Sequence, residues 1–259
     1  MIKDILSRLL SPYLKYKIKQ CLRTTTQKQA DLIEIERKRL FYSSFIKAGD
    51  VCFDVGANMG NRIDPFLKIG AKVIAVEPQK ICNTYLSAKY GKKITVIKKG
   101  LGESKTIKDF HLSDESILSS FSTEWIEGVQ ETKRFGNNKW RKSVPVEITT
   151  ADELINQFGL PSYIKIDVEG YELEVLKGLS HPIAMISYEY TVPEQSDRAI
   201  MCLKQIEHHH TKIECNYSVG ESMEWTLKSW LDVPEMINHI SSKSFIDSDF
   251  GDIYVRTKV

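Results

Sequence analysis

The chain has 259 residues, 42% hydrophobic and 27% charged, with 14 Gly and 8 Pro, values that exclude a disordered, collagen-like or coiled-coil protein. The length is ample for one large α/β domain with a buried core. The formal charge of +2 points to no polyanionic partner, but it hides a split: residues 1–23 carry six basic side chains against Asp4, a local +5 that leaves −3 for the remainder.

At the N-terminus Ile2, Ile5, Leu6, Leu9 and Leu10 recur at helical spacing until Ser11-Pro12 interrupts them. Basic residues continue to Arg23, and Thr24–Thr26 can cap a helix over about 27–47. Residues 1–47 are therefore expected to form a helical arm ahead of a domain at 48–259. The basic segment 1–23 suits peripheral contact with an anionic membrane surface. Packing against its own domain or a partner is the commoner fate of such a helix. No apolar run is long enough to cross a bilayer, and the first residues make a poor secretory signal. Five scattered cysteines without a C-x-x-C pair fit reduced thiols and a cytoplasmic location.

From Asp50 onward short apolar runs alternate with helical segments. Strands are expected at 51–55, 72–76, 94–97, 163–167, 184–189, 212–217 and 252–257, with helices near 61–69, 79–90, 173–179 and 194–209. Continuous apolar strands separated by helices indicate a mostly parallel sheet covered on both faces. Residues 102–148 break this rhythm as a polar insert holding Trp125 and Trp140. These rings either stack on an acceptor as part of a lid or anchor the insert. Residues 218–248 form a second irregular stretch.

The run Asp54-Val55-Gly56-Ala57-Asn58-Met59-Gly60 follows a strand and precedes a helix, the setting of a nucleotide-type loop. Glu77 closes the next strand 23 residues beyond Asp54, where an acid can accept hydrogen bonds from ribose hydroxyls. The loop lacks the G-x-G-x-x-G spacing that brings backbone against a pyrophosphate. An acid at Asp54 would repel a pyrophosphate but suits a ligand bearing an ammonium and a sulfonium, which favours S-adenosylmethionine over NAD. Asp64-Pro65 should either start the following helix or kink it.

Asp54–Gly60, Val73–Pro78 and Lys165-Ile166-Asp167-Val168-Glu169-Gly170-Tyr171-Glu172 resemble the signature blocks of the FkbM family of class I methyltransferases. Thr150–Leu154 resembles its T-L-D-x-L block, with Ala151 in place of Leu. The resemblance spans roughly residues 50–190. It implies a Rossmann-like seven-stranded sheet, S-adenosyl-L-methionine as cofactor, and methyl transfer to a hydroxyl oxygen of a sugar, glycan or secondary metabolite. On that pattern Asp54, Gly56, Ala57, Asn58 and Gly60 line the methionine end. Glu77 and Pro78 take the ribose, and Leu101-Gly102 lie by the adenine.

Methyl transfer needs alignment and an acceptor oxygen made nucleophilic. Asp167, Glu169 and Glu189, at the C-terminal ends of neighbouring strands, are the candidate bases, and Asp167 also borders the cofactor. Glu169 has a rival role in capping the next helix. Asp167 with Glu189 offers two oxygen ligands for a divalent cation but no third is evident, so no metal is expected. Lys165 should reach an acid or the pocket, because a buried lysine is costly unpaired. His111 is a weaker base candidate. His208-His209-His210 reads as an exposed helix end rather than a metal site. The partner expected is a small-molecule or glycan acceptor, not nucleic acid, since no basic, aromatic-interleaved face is visible. A non-catalytic cofactor-binding module docking through the basic arm is the competing reading.

Overall fold

The computed structural model describes residues 22–210 and 212–258, together with Leu14, Lys17 and Ile18. The expectations for residues 1–23 therefore fall almost entirely outside the described residues. Helix α1 (Thr25–Tyr42) starts with a capping box: Thr24 accepts from the Gln27 amide while the Gln27 side chain accepts from the Thr24 amide. Its last turn belongs to the core, with Tyr42 and nearby Ile46 fully buried.

The seven strand segments read from the sequence all enter one sheet. They are β1 (Val51–Val55), β2 (Lys72–Val76), β3 (Ile94–Ile97), β7 (Tyr163–Ile166), β8 (Met185–Thr191), β9 (Ile213–Val219) and β10 (Phe250–Thr257). Their order is β3-β2-β1-β7-β8-β10-β9, and only β10 runs antiparallel to its neighbours. The chain builds outward from β1 to β3 and then returns to place β7 beside β1. That reversal opens a crevice at the C-terminal ends of β1 and β7, the place where open α/β sheets bind ligands.

Strand alternation sends Phe53, Val55, Ile164 and Ile166 to one face and Cys52, Val73 and Tyr163 to the other. Helices α5 (Ala151–Phe158), α6 (Glu172–Lys177), α7 (Ser196–His209) and α8 (Val233–Ile240) cover the first face. The end of α1, α2 (Ile63–Ile69) and α3 (Lys80–Tyr90) cover the second. Pro65 lies in the first turn of α2, where its missing N–H breaks no helical bond, so it starts the helix without a kink. Cys52, Cys82, Cys202 and Cys215 are free and buried. Among the described residues no helix is long and apolar enough to cross a membrane.

The insert is more ordered than its polarity suggests. β4 (Gly100–Leu101), β5 (Thr106–Ser113) and β6 (Trp140–Thr149) form a second sheet, with β6 central. Helix α4 (Thr123–Glu131) packs Trp125, Ile126 and Val129 with Leu118 into a small core of their own. Trp125 is 1% exposed and lies edge-on to Trp140, so it anchors the insert and presents no stacking surface. The Trp140 indole N–H donates to the Leu118 carbonyl at 2.6 Å. The stretch 218–248, expected to be irregular, contains α8 and a short α9 (Lys243–Ile246). His210 is buried: its Nδ1–H donates to the Ile206 carbonyl and its Nε2 accepts from the Ile183 amide. It is thus a core residue that ties α7 to the segment leading into β8, not part of an exposed helix end.

Removing the Trp125 ring should leave a cavity costing about 3–5 kcal/mol. Trp125→Ala is expected to lower the urea midpoint accordingly, and an unchanged midpoint would show that the insert does not fold on this anchor.

Candidate functional site

A cleft of about 860 Å³ opens at the C-terminal ends of β1, β2 and β7. Its floor is the loop after β1. Gly56 and Ala57 donate to the Val76 carbonyl at 3.0 and 3.1 Å, and the Asp167 amide donates to the Val55 carbonyl at 3.0 Å. Gly56 has φ +85, and a Cβ there would sit 1.7 Å from the Asp167 carbonyl oxygen. Only glycine supplies both that backbone and that close approach. Gly60 and Gly102 lie outside the lining. Gly60 makes room for Leu86, Ile63 and Tyr90, and Gly102 packs on Ile148 and Tyr171. Gly100, beside Leu101, borders the cleft instead.

Glu77 is buried at the end of β2, its Oε2 accepting from the Asn58 amide at 2.8 Å and its Oε1 from Gln79 at 2.6 Å. Burial pushes its carboxyl up to about 7 despite those two amides. The bond to Asn58, whose φ is +43, ties the glycine loop to the second strand. Asp54, equally buried, has an Oδ2 with no hydrogen-bond partner, and burial raises its carboxyl to about 6 although Lys165 pulls it down.

Lys165 is 3% exposed and pairs with Asp167. Burial works against its charge, but Asp167 and Asp252 more than offset this and hold its pKa above the ordinary lysine value. After Asp167 the backbone turns through two left-handed residues, Glu169 (φ +55) and Gly170 (φ +82). Glu169 does not cap the next helix, whose start has no side-chain cap; Glu172 instead braces the turn, its Oε1 accepting from the Val168 and Gly170 amides at 3.0 and 3.2 Å. Glu169 is thereby turned inward. A carboxylate oxygen from each of Asp167, Glu169 and Glu189 lies within 4.8 Å of the others, which supplies the third oxygen ligand not evident in the sequence. Asp167 and Glu169 line the main cleft, while Glu189 lines a smaller one of about 270 Å³ behind the turn.

Three contributions escaped the sequence. Arg62 and Glu221 form a double ion pair with both N–O distances 2.6 Å, and Lys38 joins it at 3.0 Å. Burial would raise Glu221, yet the two cations hold it down to about 2. Phe110, Ile117 and Phe121 bring the insert over Leu101 and make one end of the cleft apolar. Gln79 fastens that end, donating to Ser119 Oγ at 2.8 Å. The first of these pairs residues 159 positions apart, beyond any local pattern. His111 lies outside the lining.

The methyltransferase FkbM domain family matches residues 54–228, well over half of the chain, and the chain belongs to that family. The hexuronic acid methyltransferase AglP of Haloferax volcanii is 28% identical over 142 residues, 54% of this chain and 54% of that protein. The chain thus spans about half the length of that relative. Among solved structures, a TehB-like SAM-dependent methyltransferase from Corynebacterium glutamicum gives a TM-score of 0.43 at 11% identity, covering 86% of this chain and 88% of that one. A precorrin-6y C5,15-methyltransferase from Geobacter metallireducens gives 0.42 at 9% identity, covering 89% and 88%.

Gly56→Ala forces a Cβ into the Asp167 carbonyl and should destabilise the fold by about 3 kcal/mol or more. Thermal unfolding checks this, and a midpoint equal to wild type would mean that the loop and β7 can move apart freely.

Proposed function

We propose that this FkbM-family methyltransferase moves a methyl group from S-adenosylmethionine to a hydroxyl oxygen of a sugar-type acceptor. The observation that carries the reading is Glu77, a buried carboxylate fixed by two backbone amides at the rim of a glycine loop. Ribose hydroxyls donate to such a group, whereas a pyrophosphate would be repelled by it and by Asp54. The unpartnered Asp54 Oδ2 suits an ammonium or sulfonium, and Leu101, Phe110 and Phe121 suit a flat purine ring. The sugar-type acceptor is supported by the partial likeness to a hexuronic acid methyltransferase.

In this reading the cofactor supplies the electrophilic methyl group, and the protein aligns the reactants and takes a proton. The acceptor O–H gives its proton to a carboxylate. The oxygen lone pair forms the new C–O bond, and the C–S bond breaks to leave a neutral thioether. Asp167 is the proposed base: it lines the cleft at the end of β7, and Lys165 fixes its orientation. Glu169 and Glu189 lie beside it and bear on the same acceptor.

Two results are expected. Glu77→Ala should weaken binding of S-adenosylhomocysteine at least tenfold by calorimetry. Asp167→Asn should keep that binding within a few-fold but lose labelled-methyl transfer to a glycan panel. Full transfer by Asp167→Asn removes Asp167 as base. The pH dependence follows from Glu77. Ribose hydroxyls bind its ionised form, and its carboxyl sits near 7, so affinity should fall as pH drops below that value, by up to about tenfold per unit. Protonation of Asp54 adds to the loss below about 6. A flat affinity profile between pH 8 and 5.5 would contradict the assignment of Glu77.

A further inference from the structure

Glu169 presents a problem that the proposed reaction does not solve. Its side chain is 8% exposed, and among the described residues it makes no hydrogen bond or ion pair. An isolated buried carboxylate is costly unless it is neutralised or held by a counter-charge. Of the cations that act on it, Lys165 is already committed to Asp167. Arg134 is engaged by Glu194 at 2.9 Å and Asp249 at 2.5 Å. What faces Glu169 at close range is more negative charge, from Asp167 and from Glu189, whose side chain likewise makes no hydrogen bond or ion pair among the described residues.

We propose that Asp167, Glu169 and Glu189 bind a hard divalent cation, Mg²⁺ or Mn²⁺, where the main cleft adjoins the smaller one behind the turn. The donor set decides the class of ion. Three carboxylates with no thiolate or imidazole among them select magnesium, manganese or calcium over zinc or copper. The spacing agrees: oxygens bound at about 2.1–2.4 Å from one ion lie at most about 4–5 Å apart, and these three lie within 4.8 Å of one another. The left-handed turn at Glu169 and Gly170, held by Glu172, gives the third carboxylate an inward aim that a regular backbone would not. Three protein ligands, each using one oxygen, leave positions open toward the cleft, where acceptor oxygens would complete the shell and a hydroxyl would lose its proton more readily, to the unligated oxygen of Asp167. That last role rests on the reaction proposed above; binding of the ion does not.

The full chain, stripped with EDTA, is titrated with Mn²⁺ and followed by electron paramagnetic resonance, with Mg²⁺ as competitor. One saturable site per chain is expected, displaced by Mg²⁺ and weakened tenfold or more by Glu169→Gln and by Glu189→Gln. Each variant removes repulsion, so its melting temperature in EDTA should equal or exceed that of wild type. Mn²⁺ should raise the melting temperature of wild type and leave the double variant unmoved. No saturable binding up to millimolar Mn²⁺, or binding unchanged in the double variant, overturns the site and leaves shared protons as the way these acids are neutralised. S-adenosylhomocysteine calorimetry in EDTA separates the two readings. Intact binding there with no Mn²⁺ site removes the cation alone, and a Mn²⁺ site without cofactor-product binding removes the reaction alone.

Discussion

Carboxylates crowded at the C-terminal edge of the sheet set the terms for the rest of the molecule. Asp54, Asp167, Glu169, Glu189 and Asp252 come from β1, β7, β8 and β10 or the turns that end them, and Lys165 lies among them on the central strand β7. One buried ammonium cannot neutralise that many acids, so several are pushed toward their protonated forms by burial and by one another. The sign of the effect on stability follows. Asp54 and Glu77 have folded-state values near 6 and 7, above the ordinary 3.8 and 4.5. They oppose folding least below about pH 4, increasingly as pH rises from there to the folded values, and by a constant amount above them. The helices and the two apolar cores offset this cost, which is the usual relation between a reactive site and its scaffold.

Close backbone approach is the second constraint. Gly56 lets the first loop touch the end of β7, which brings the β1 and β7 acids to a common wall. Gly170 admits Trp125, and Ser120 Oγ donates to the Glu169 carbonyl at 2.6 Å. The insert is therefore locked to the same turn that aims Glu169 inward. Its core, the turn and the acidic cluster form one mechanical unit. A loosened Trp125 would be felt at the carboxylates although the ring itself never reaches the main cleft.

Most of the sheet was legible because parallel strands buried on both faces read as nearly continuous apolar runs, as in β1, β2, β7 and β8, whereas β9 and β10, which pair antiparallel, carry polar residues within theirs. The antiparallel pair of β5 and β6 was not. Most of its residues are exposed or half-buried, so Ser, Thr and Lys occupy positions where apolar alternation would normally give a strand away. Helix α8 carries a local signal in the sequence, since Asp232 and Glu235 make a reciprocal capping box just before Met236 and Ile240. In the site, Asp54, Glu77 and Asp167 could be placed because each ends a strand. The inward turn of Glu169 could not, since it depends on a positive φ that no residue type other than glycine announces. The Arg62–Glu221 pair is a product of tertiary structure alone.

Polarity along the cleft also fixes direction. Leu101, Phe110 and Phe121 offer apolar surface on the side of the insert, and Asp54, Glu77 and Asp167 offer negative charge at the ends of the main-sheet strands. Low-dielectric walls strengthen each of those charges relative to water. A ligand with a flat apolar ring at one end and a cation at the other gains from both ends in a single orientation. In the reverse orientation it would bury a ring among carboxylates and a charge among phenylalanines, and each misplacement costs several kcal/mol. The acids that burden the folded state are therefore the same groups that dictate which way round such a ligand enters.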